Sequence, residues 1–229
     1  FTDTYPAGLI NSVTPAAAIT ANAGTCAGGT VTAVAAADTL TLTGLNISAG
    51  GICDIEVNVR SATAGAYFNS TGAITSATPI PAIAPASGTL NVVAPPTITK
   101  SFAPTSIASG GTSVLTIVIA NPSPNLATLN GVSFSDIFPV APGAMTLLNG
   151  TNTNTCTAGS TPGTLQDSAG GVIGAGDVGI RIDPAAGATI LGGGSCTITV
   201  NVTAAAAGNY SNTTTAVVST TAGGLTGNT

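Results

Sequence analysis

One ten-residue segment occurs twice in the chain, and each copy carries a cysteine near its start. GGICDIEVNV spans residues 50–59 and GGSCTITVNV spans residues 193–202, so Cys53 and Cys196 have matching surroundings. From the cysteine onward, apolar residues fall on alternate positions in both copies. Period-two alternation places every second side chain on the same face of an extended strand. The segment therefore predicts a β-strand with one face in a core.

The repeated segment belongs to a longer internal repeat, which sets the predicted domain organisation. Three more pairs match in the same order: FTDTYP and FSDIFP, the surroundings of Cys26 and Cys156, and SATAGAYFNST and TAAAAGNYSNT. Such ordered matches are the signature of tandem structural units. We predict two units, residues 1–94 and 95–229, with an insertion around 157–192. The first is expected to lack its N-terminal strands and the second its closing strand, as in a window cut from a tandem array.

The composition favours strands throughout the chain. Thirty glycines and fourteen prolines, with almost no Glu, Lys, Arg or Gln, leave little to cover an exposed helix face. Several short alternating segments separated by turns are typical of sheets that pack through one face. The predicted fold is all-β, with two tandem β-sandwich domains. In TLTLTGL and SVLTIVIAN, the residues expected to point inward are Leu40, Leu42, Leu115, Ile117 and Ile119.

The four cysteines occupy matched positions in the two copies. Each unit has one cysteine after its middle loop and one at the start of a predicted core strand. We infer two disulfides related by the repeat, Cys26–Cys53 and Cys156–Cys196. Closing loops of these lengths contributes ~3–4 kcal/mol each in the chain-entropy model. Four free buried thiols are the alternative, and a metal site is disfavoured because the chain has no histidine and no C-x-x-C pair.

The chain carries little charge. Only 5% of its residues are charged and its net charge is −5, with Arg60, Lys100 and Arg181 as the three cations. Scattered cations offer no binding surface for nucleic acid or for an anionic membrane. Apolar runs such as SVLTIVIA are too short to span a bilayer, and the first residues lack the features of a signal peptide. We expect no nucleic-acid partner and no membrane insertion, and a hydroxyl-rich surface common among secreted proteins.

Several segments resemble a known family. PPTITKSFAPTSIASGGTSVLTIVIANP, GVSFSDIFP, GGSCTITVNV and AGNYSNT look like the conserved-repeat domain of unknown function found in tandem in large bacterial surface proteins. Its members are similar to immunoglobulin-like β-sandwiches. The resemblance implies two tandem immunoglobulin-like domains in a secreted or cell-surface protein with a wall-associated or filamentous role. It carries over no catalytic residue and no cofactor.

The chain offers few residues for catalysis. The absence of histidine excludes Ser-His-Asp and Cys-His sites. Asp54 and Glu56 share the outward face of a strand, where we expect a solvated pair. Asp3 and Asp136 lie in equivalent F-x-D-x-aromatic-Pro segments, where we expect each carboxylate to cap backbone amides of a turn. GAGDVG at 174–179 matches a dinucleotide-binding pattern only as a string, because no helix-forming segment follows it.

Two groups of polar residues are candidates for specific chemistry. Asp167, Asp177 and Asp183 crowd the predicted insertion and could gather a calcium ion, although their spacing fits no known loop. Lys100, the only lysine, lies on the first predicted strand of the second unit. It could form an intramolecular isopeptide bond with an asparagine, assisted by a carboxylate such as Asp136.

Asn-x-Ser/Thr sequons are candidates for glycosylation. Their number is close to what this composition produces by chance, yet glycans would help a surface with so few charges to remain soluble. The candidate residues are Asn46, Asn69, Asn149, Asn201, Asn209 and Asn212.

The sequence is compatible with three functions of different classes. We expect a structural module that forms an extracellular stalk or a self-assembling filament, because few charges protect its strand edges. Its partners would be further copies or adjoining repeats, with missing strands supplied by neighbouring chains or by one continuous chain. The alternative is an adhesin that binds glycan or protein through its loops, although the chain has no tryptophan. A secreted hydrolase is not favoured, because no pair of carboxylates is predicted in a cleft; we expect no enzymatic activity.

Overall fold

The fold is described by a computed structural model over residues 1–78, 81, 83–156 and 163–229. In this part of the chain every regular element is a β-strand, apart from two short 3-10 turns. The all-β prediction is therefore confirmed. Within the same residues there is no helix of the length and apolarity needed to cross a membrane.

The chain divides into two compact units, unit 1 (Phe1–Val92) and unit 2 (Val93–Thr229). The described residues of unit 1 form nine strands. They are β1 (Thr2–Thr4), β2 (Ile10–Asn11), β3 (Ala18–Ala23), β4 (Cys26–Ala33), β5 (Thr39–Ile47), β6 (Ile52–Glu56), β7 (Val59–Arg60), β8 (Gly65–Ser70) and β9 (Ser87–Val92).

The strands of unit 1 pair in antiparallel fashion around a small core. β5 lies between β1 and β4 in a three-stranded sheet, while β3 pairs with β6, β2 with β7 and β8 with β9. Leu40 and Leu42 are buried on β5, as the alternation predicts. The buried residues of the core cluster are Tyr5, Leu9, Leu40 and Tyr67.

The predicted strand that begins at Cys53 is interrupted in unit 1, where it forms β6 and β7. The backbone of Asn58 leaves the β3 ladder and bonds to the segment between β2 and β3. Its N–H donates to the Pro15 carbonyl oxygen at 2.7 Å, and its carbonyl oxygen accepts the Ser12 N–H at 2.8 Å. Ile55, Val57 and Val59 on the predicted inward face are half-buried, because the core they pack against is small.

The described residues of unit 2 form eleven strands. They are β10 (Thr97–Ala103), β11 (Thr112–Ala120), β12 (Leu129–Val132), β13 (Phe134–Ile137), β14 (Met145–Asn154), β15 (Leu165–Asp167), β16 (Gly179–Ile182), β17 (Ala188–Ile190), β18 (Ser195–Ala204), β19 (Val218–Ser219) and β20 (Leu225–Thr226). β10, β11, β18 and β14 form a four-stranded sheet in that order, and β13, β16 and β15 form a three-stranded sheet. β12 pairs with β17, and β19 with β20.

Both larger sheets of unit 2 contribute side chains to one apolar core. Leu115, Ile117 and Ile119 of β11 are fully buried, as predicted. Phe134 of β13 and Ile180 of β16 enter the same cluster from the three-stranded sheet. The predicted inward face of β18 is also buried, with Cys196, Ile198, Val200 and Val202 each at most 4% exposed.

The predicted insertion around 157–192 is not an addition to the shared framework. Residues 157–162 lie outside the described part of the chain, and the remainder includes β15 and β16. The sheet order β13-β16-β15 repeats the order β1-β5-β4 of unit 1. Asp136 on β13 and Asp3 on β1 occupy equivalent positions against the middle strand. The segment therefore supplies the counterparts of β4 and β5, which its different length and turns conceal in the sequence.

The two strands that carry the repeated cysteine segment differ in their partners. β18 pairs with β11 on one side and β14 on the other. Its counterpart β6 pairs only with β3 among the described residues. One edge of β6 therefore presents backbone N–H and C=O groups without a partner strand, next to the half-exposed side chain of Ile52.

Candidate functional site

A lysine, an aspartate and an asparagine meet beside the core of unit 2. The Lys100 ammonium donates to Asp136 Oδ1 at 2.8 Å, and Asn212 Nδ2 donates to Asp136 Oδ2 at 3.1 Å. The side chain of Asp136 is fully buried, and that of Lys100 is 13% exposed. Asn212 Oδ1 is buried and has no hydrogen-bond partner in the described part of the chain. We call these three residues the Lys–Asp–Asn cluster.

Strand alternation places the charged members of the cluster on inward faces. On β10, Ile98, Lys100 and Phe102 share one face, and Ile98 and Phe102 pack with the core. On β13, Phe134 and Asp136 share the buried face. A charge on a buried face is strongly unfavourable unless it is paired and hydrogen-bonded. Lys100 and Asp136 therefore stabilise each other at these positions of unit 2.

The expectation that Asp3 and Asp136 cap backbone amides of turns is wrong. Both residues lie within strands, β1 and β13, and both are buried. Each carboxylate accepts a side-chain amide instead: Asn69 Nδ2 donates to Asp3 Oδ2 at 2.7 Å, as Asn212 does to Asp136. The proline of the F-x-D-x-aromatic-Pro pattern comes three residues after the aspartate, so it ends the strand without displacing the carboxylate.

Unit 1 repeats the aspartate–asparagine half of the cluster. The two aspartates form equivalent isolated bridges to the segments that carry Asn69 and Asn212. In unit 2 the second carboxylate oxygen accepts Lys100. In unit 1 the corresponding atom, Asp3 Oδ1, is buried and finds no hydrogen-bond partner among the described residues. Both units thus contain a buried carboxylate oxygen that can accept a cation, and only unit 2 contains the lysine that binds it.

The asparagine of the cluster was not identified as a partner from the sequence. In the sequence, Asn69 and Asn212 stand out only as glycosylation candidates. A signal was present, however, because each lies at the same position of the repeat, two residues after the matched tyrosines Tyr67 and Tyr210. An aspartate and an asparagine that recur together in both copies indicate a contact, although not which chemistry it serves.

A buried polar network surrounds Tyr5 next to the unit 1 pair. Burial, and then the nearby Asp3 carboxylate, raise the pKa of Tyr5 above its ordinary value. Its hydroxyl donates to Asn11 Oδ1 at 2.9 Å, and Asn11 Nδ2 donates to the carbonyl oxygens of Val34 and Thr39. Because the phenol keeps its proton over a wider pH range, Tyr5 acts as a structural hydrogen-bond donor.

The three aspartates of the predicted calcium site do not converge. Asp167 binds N–H groups of its own turn, and Asp177 Oδ2 accepts the Gly174 N–H at 2.6 Å. Asp183 pairs with Arg181 at 2.7 Å. Within the described ranges, no three carboxylate or thiolate groups lie close enough to share a metal ion. The calcium prediction is not supported there, because each carboxylate serves its own local structure.

The turn after β15 depends on the carboxylate of Asp167. Asp167 Oδ1 accepts the Gly171 N–H at 2.8 Å and the Ala169 N–H at 2.7 Å. The Gly171 hydrogen bond is the largest contribution that lowers the pKa of Asp167, with smaller contributions from Ala169, Gly170 and the charge of Arg181. The turn is therefore built around an ionised carboxylate.

The sequons differ in whether their amide nitrogens are free. Asn46 and Asn209 are exposed, while Asn149 and Asn201 are half-buried. The remaining two, Asn69 and Asn212, use their amide nitrogens to bind buried carboxylates. Glycosylation stays a prediction for Asn46, Asn149, Asn201 and Asn209, and the geometry argues against it at Asn69 and Asn212.

The structure joins the four cysteines in two disulfides, Cys26–Cys53 and Cys156–Cys196. In unit 1 the bond links β4 to β6. In unit 2 it links the segment after β14 to β18, and both sulfurs belong to buried residues. Each unit therefore contains one covalent link between segments that are distant in sequence.

A family assignment follows from comparison with known proteins. The sequence profile of a family described as "Domain of unknown function (DUF7933)" matches residues 1–92 and 96–229. The chain belongs to this family. The residues matched to DUF7933 include both disulfides and the whole Lys–Asp–Asn cluster. No curated protein matches the chain.

Proposed function

We propose that the chain is a structural module of an extracellular surface protein, in which tandem disulfide-bonded β-sandwiches form a stalk or a filament. The observation that carries this proposal is the linkage between sheets in unit 2. The Lys100–Asp136 ion pair joins the four-stranded sheet to the three-stranded sheet, and Asn212 attaches the segment after β18 to the same carboxylate. Links of this kind oppose the separation of the sheets, which is the requirement of a module under tension.

An immunoglobulin-like sandwich accounts for the pairing pattern of unit 2. Two antiparallel sheets that share one apolar core are typical of such sandwiches. The phenol groups of Tyr67 and Tyr210 each donate to the carbonyl oxygen four residues earlier, those of Thr63 and Ala206, at 2.9 Å. This contact has the geometry of the tyrosine corner of immunoglobulin-like domains. Its presence in both units supports two copies of one fold.

A matched pair of glycines supports the same proposal. Gly65 and Gly208 precede the two tyrosines by two residues and have φ values of 156° and 148°. A side chain rarely adopts this backbone conformation. At Gly208 an added Cβ would also collide with the ring of Pro142. The glycines are therefore explained by a turn that both units require.

The covalent and surface chemistry supports an extracellular location. Disulfides persist in oxidising compartments and are rare in the cytosol of mesophiles. The chain has two, and its net charge of −5 comes with only 5% charged residues. Hydroxyl and amide groups must then supply much of the surface polarity. No catalytic role, cofactor or nucleic-acid partner is part of this proposal.

The partners we propose are further copies or adjoining repeats of the same kind. The edge of β6 offers backbone groups without a partner strand in the described part of unit 1. The equivalent edge of β18 in unit 2 is covered by β11. A strand with the alternation of β11 would complete unit 1 by β-strand addition.

Electron microscopy of native cells with a gold-labelled antibody against the chain tests the proposed function. We expect gold on stalks or filaments that project from the cell surface. Purified native material should appear as regular rods or filaments whose axial repeat matches one or two domains. Label confined to the cell interior, or compact particles without extended assemblies, would contradict the proposal.

An adhesin is the second candidate, because unit 2 has an open cavity of about 350 Å³. It lies between the loop after β10 and the segment after β18, and residues such as Ser106, Asn209 and Tyr210 line it. Cavities of this size suit small ligands. A glycan array probed with the native chain tests this candidate; specific binding that an Asn209→Ala, Ser106→Ala variant loses would favour it over the structural module.

A further inference from the structure

We propose that Lys100 and Asn212 become joined by an intramolecular isopeptide bond, with Asp136 as the catalytic residue. The bond would connect β10, the first strand of unit 2, to the segment after β18. This inference concerns the covalent structure of the chain and does not depend on where the protein is located.

The geometry brings the three groups of such a reaction together on one carboxylate. Asp136 Oδ1 lies 2.8 Å from the Lys100 ammonium and Oδ2 lies 3.1 Å from Asn212 Nδ2. The nucleophile on β10 and the amide on the segment after β18 are therefore both held by one buried carboxylate. Fixing reacting groups side by side in a folded protein replaces an improbable encounter with an intramolecular step. Because Asp136 is buried, water does not compete with Lys100 and Asn212 for proton transfer to and from its carboxylate.

The positions of the hydrogen bonds match the proton transfers that the reaction requires. Asp136 takes a proton from Lys100 Nζ, which frees the nitrogen lone pair to attack Asn212 Cγ. The carbonyl electron pair moves to Oδ1 and returns as the Cγ–Nδ2 bond breaks. Asp136 delivers the first proton to Nδ2, which leaves as ammonia. The second proton lost by Nζ stays on Asp136, so the product holds a neutral carboxyl group and an amide.

This product resolves two features that are costly in the unreacted cluster. The buried ion pair is replaced by neutral groups. Asp136 is protonated in the product, so no unpaired charge remains in the core. Asn212 Oδ1, which has no hydrogen-bond partner in the described residues, becomes the oxygen of an amide whose neighbouring carboxyl group can donate. Lys100 and Asn212 also line a cavity of about 220 Å³, which gives the ammonia a route out of the site.

Unit 1 provides an internal comparison within the same chain. Its Asp3–Asn69 contact, at 2.7 Å, reproduces the contact of Asp136 with Asn212. Lys100 is the only lysine in the sequence. One chain can therefore form one such bond and lose one ammonia molecule.

Intact-mass spectrometry of the purified full chain, with its disulfides reduced, tests the proposal. We expect the mass to fall below the sequence mass by one ammonia. Proteolysis followed by tandem mass spectrometry should recover the segment with Lys100 linked to the segment with Asn212. The Lys100→Arg variant keeps the cation but is not expected to form the amide, so it should show the full sequence mass. Asp136→Asn should show it as well, while Asn46→Ala, at an exposed asparagine, should still lose one ammonia.

Three results would overturn the proposal. The first is a wild-type chain with the full sequence mass, which needs no variant and is independent of their folding. The second is the loss of ammonia from both wild type and Lys100→Arg, which indicates ring closure at an asparagine without a link. The third is complete bond formation in Asp136→Asn, which removes the catalytic role of the carboxylate.

Discussion

Leu115 offers a direct test of the core that the two sheets of unit 2 share. Leu115→Ala removes three carbon atoms from a fully buried position on β11. At about 0.8 kcal/mol per buried methylene, the lost transfer free energy is about 2.4 kcal/mol. The cavity left in a packed core adds to this, and buried Leu→Ala changes cost about 3 to 5 kcal/mol in total. We expect the free energy of unfolding of unit 2 to fall by about 3 to 4 kcal/mol.

Leu148 supplies the matched control, because it lies in the same four-stranded sheet and is 39% exposed. Its replacement by alanine should lower the free energy of unfolding by about 1 kcal/mol. Urea denaturation followed by far-UV circular dichroism measures both variants, and hydrogen exchange of peptides from β11 and β18 assigns the transition to unit 2. Equal losses for the two variants, or a loss below about 1 kcal/mol for Leu115→Ala, would refute the packing described for the core.

Three further predictions concern the covalent links, the open strand edge and the acidic turn. Replacing both Cys156 and Cys196 by alanine should lower the free energy of unfolding by about 4 kcal/mol, because the unfolded chain regains the conformational entropy that the disulfide removes. An unchanged urea midpoint would contradict the stabilising role of the disulfide. A peptide of residues 95–121, which contains Lys100, should bind the open edge of β6 and form an amide with Asn69 of the full chain, with loss of ammonia. Asp3→Ala should prevent this covalent step. The absence of a peptide adduct in mass spectrometry would contradict the prediction. The lowered pKa of Asp167 means that its hydrogen bonds stabilise the turn above the ordinary carboxyl pKa and are lost as pH falls through the lowered value. NMR titration of its carboxyl carbon measures this, and a midpoint at the ordinary value would oppose the account.

Local patterns were sufficient to predict the core strands β11 and β18 and the cysteine contacts. Alternation identified the buried face of β18 and the inward residues of β11, because side-chain direction in a strand depends only on position. The matched surroundings of Cys53 and Cys196 indicated which cysteines are equivalent. The structure pairs these two with Cys26 and Cys156.

The composition of the cluster could be predicted only in part. Lys100 and Asp136 were candidates, since a lone lysine and a carboxylate recurring in a repeat are visible in the sequence. Asn212 lies 76 positions from Asp136, and the contact arises because the segment after β18 runs antiparallel alongside β13. No local pattern encodes that pairing. The predicted role of Asp136 in a turn failed for the same reason, because its burial depends on the packing of sheets.

The segment around 157–192 shows a second limit of sequence reasoning. Its strands β15 and β16 take the places of β4 and β5, yet the two regions share no recognisable residues apart from alternating apolar positions. The backbone pairing is what the fold conserves between the units. The lengths of the turns differ freely, because loops at the surface tolerate insertions.

Single-molecule stretching of the full chain between its ends most directly tests the central claim, that unit 2 resists force because links join its sheets. The chain between Lys100 and Asn212, less the Cys156–Cys196 loop, is about 72 residues, or roughly 250 Å when extended. The account predicts that this length is never released from the wild-type chain, whereas Lys100→Arg releases it in one additional event. Release of the same length from the wild-type chain at low force would contradict the account.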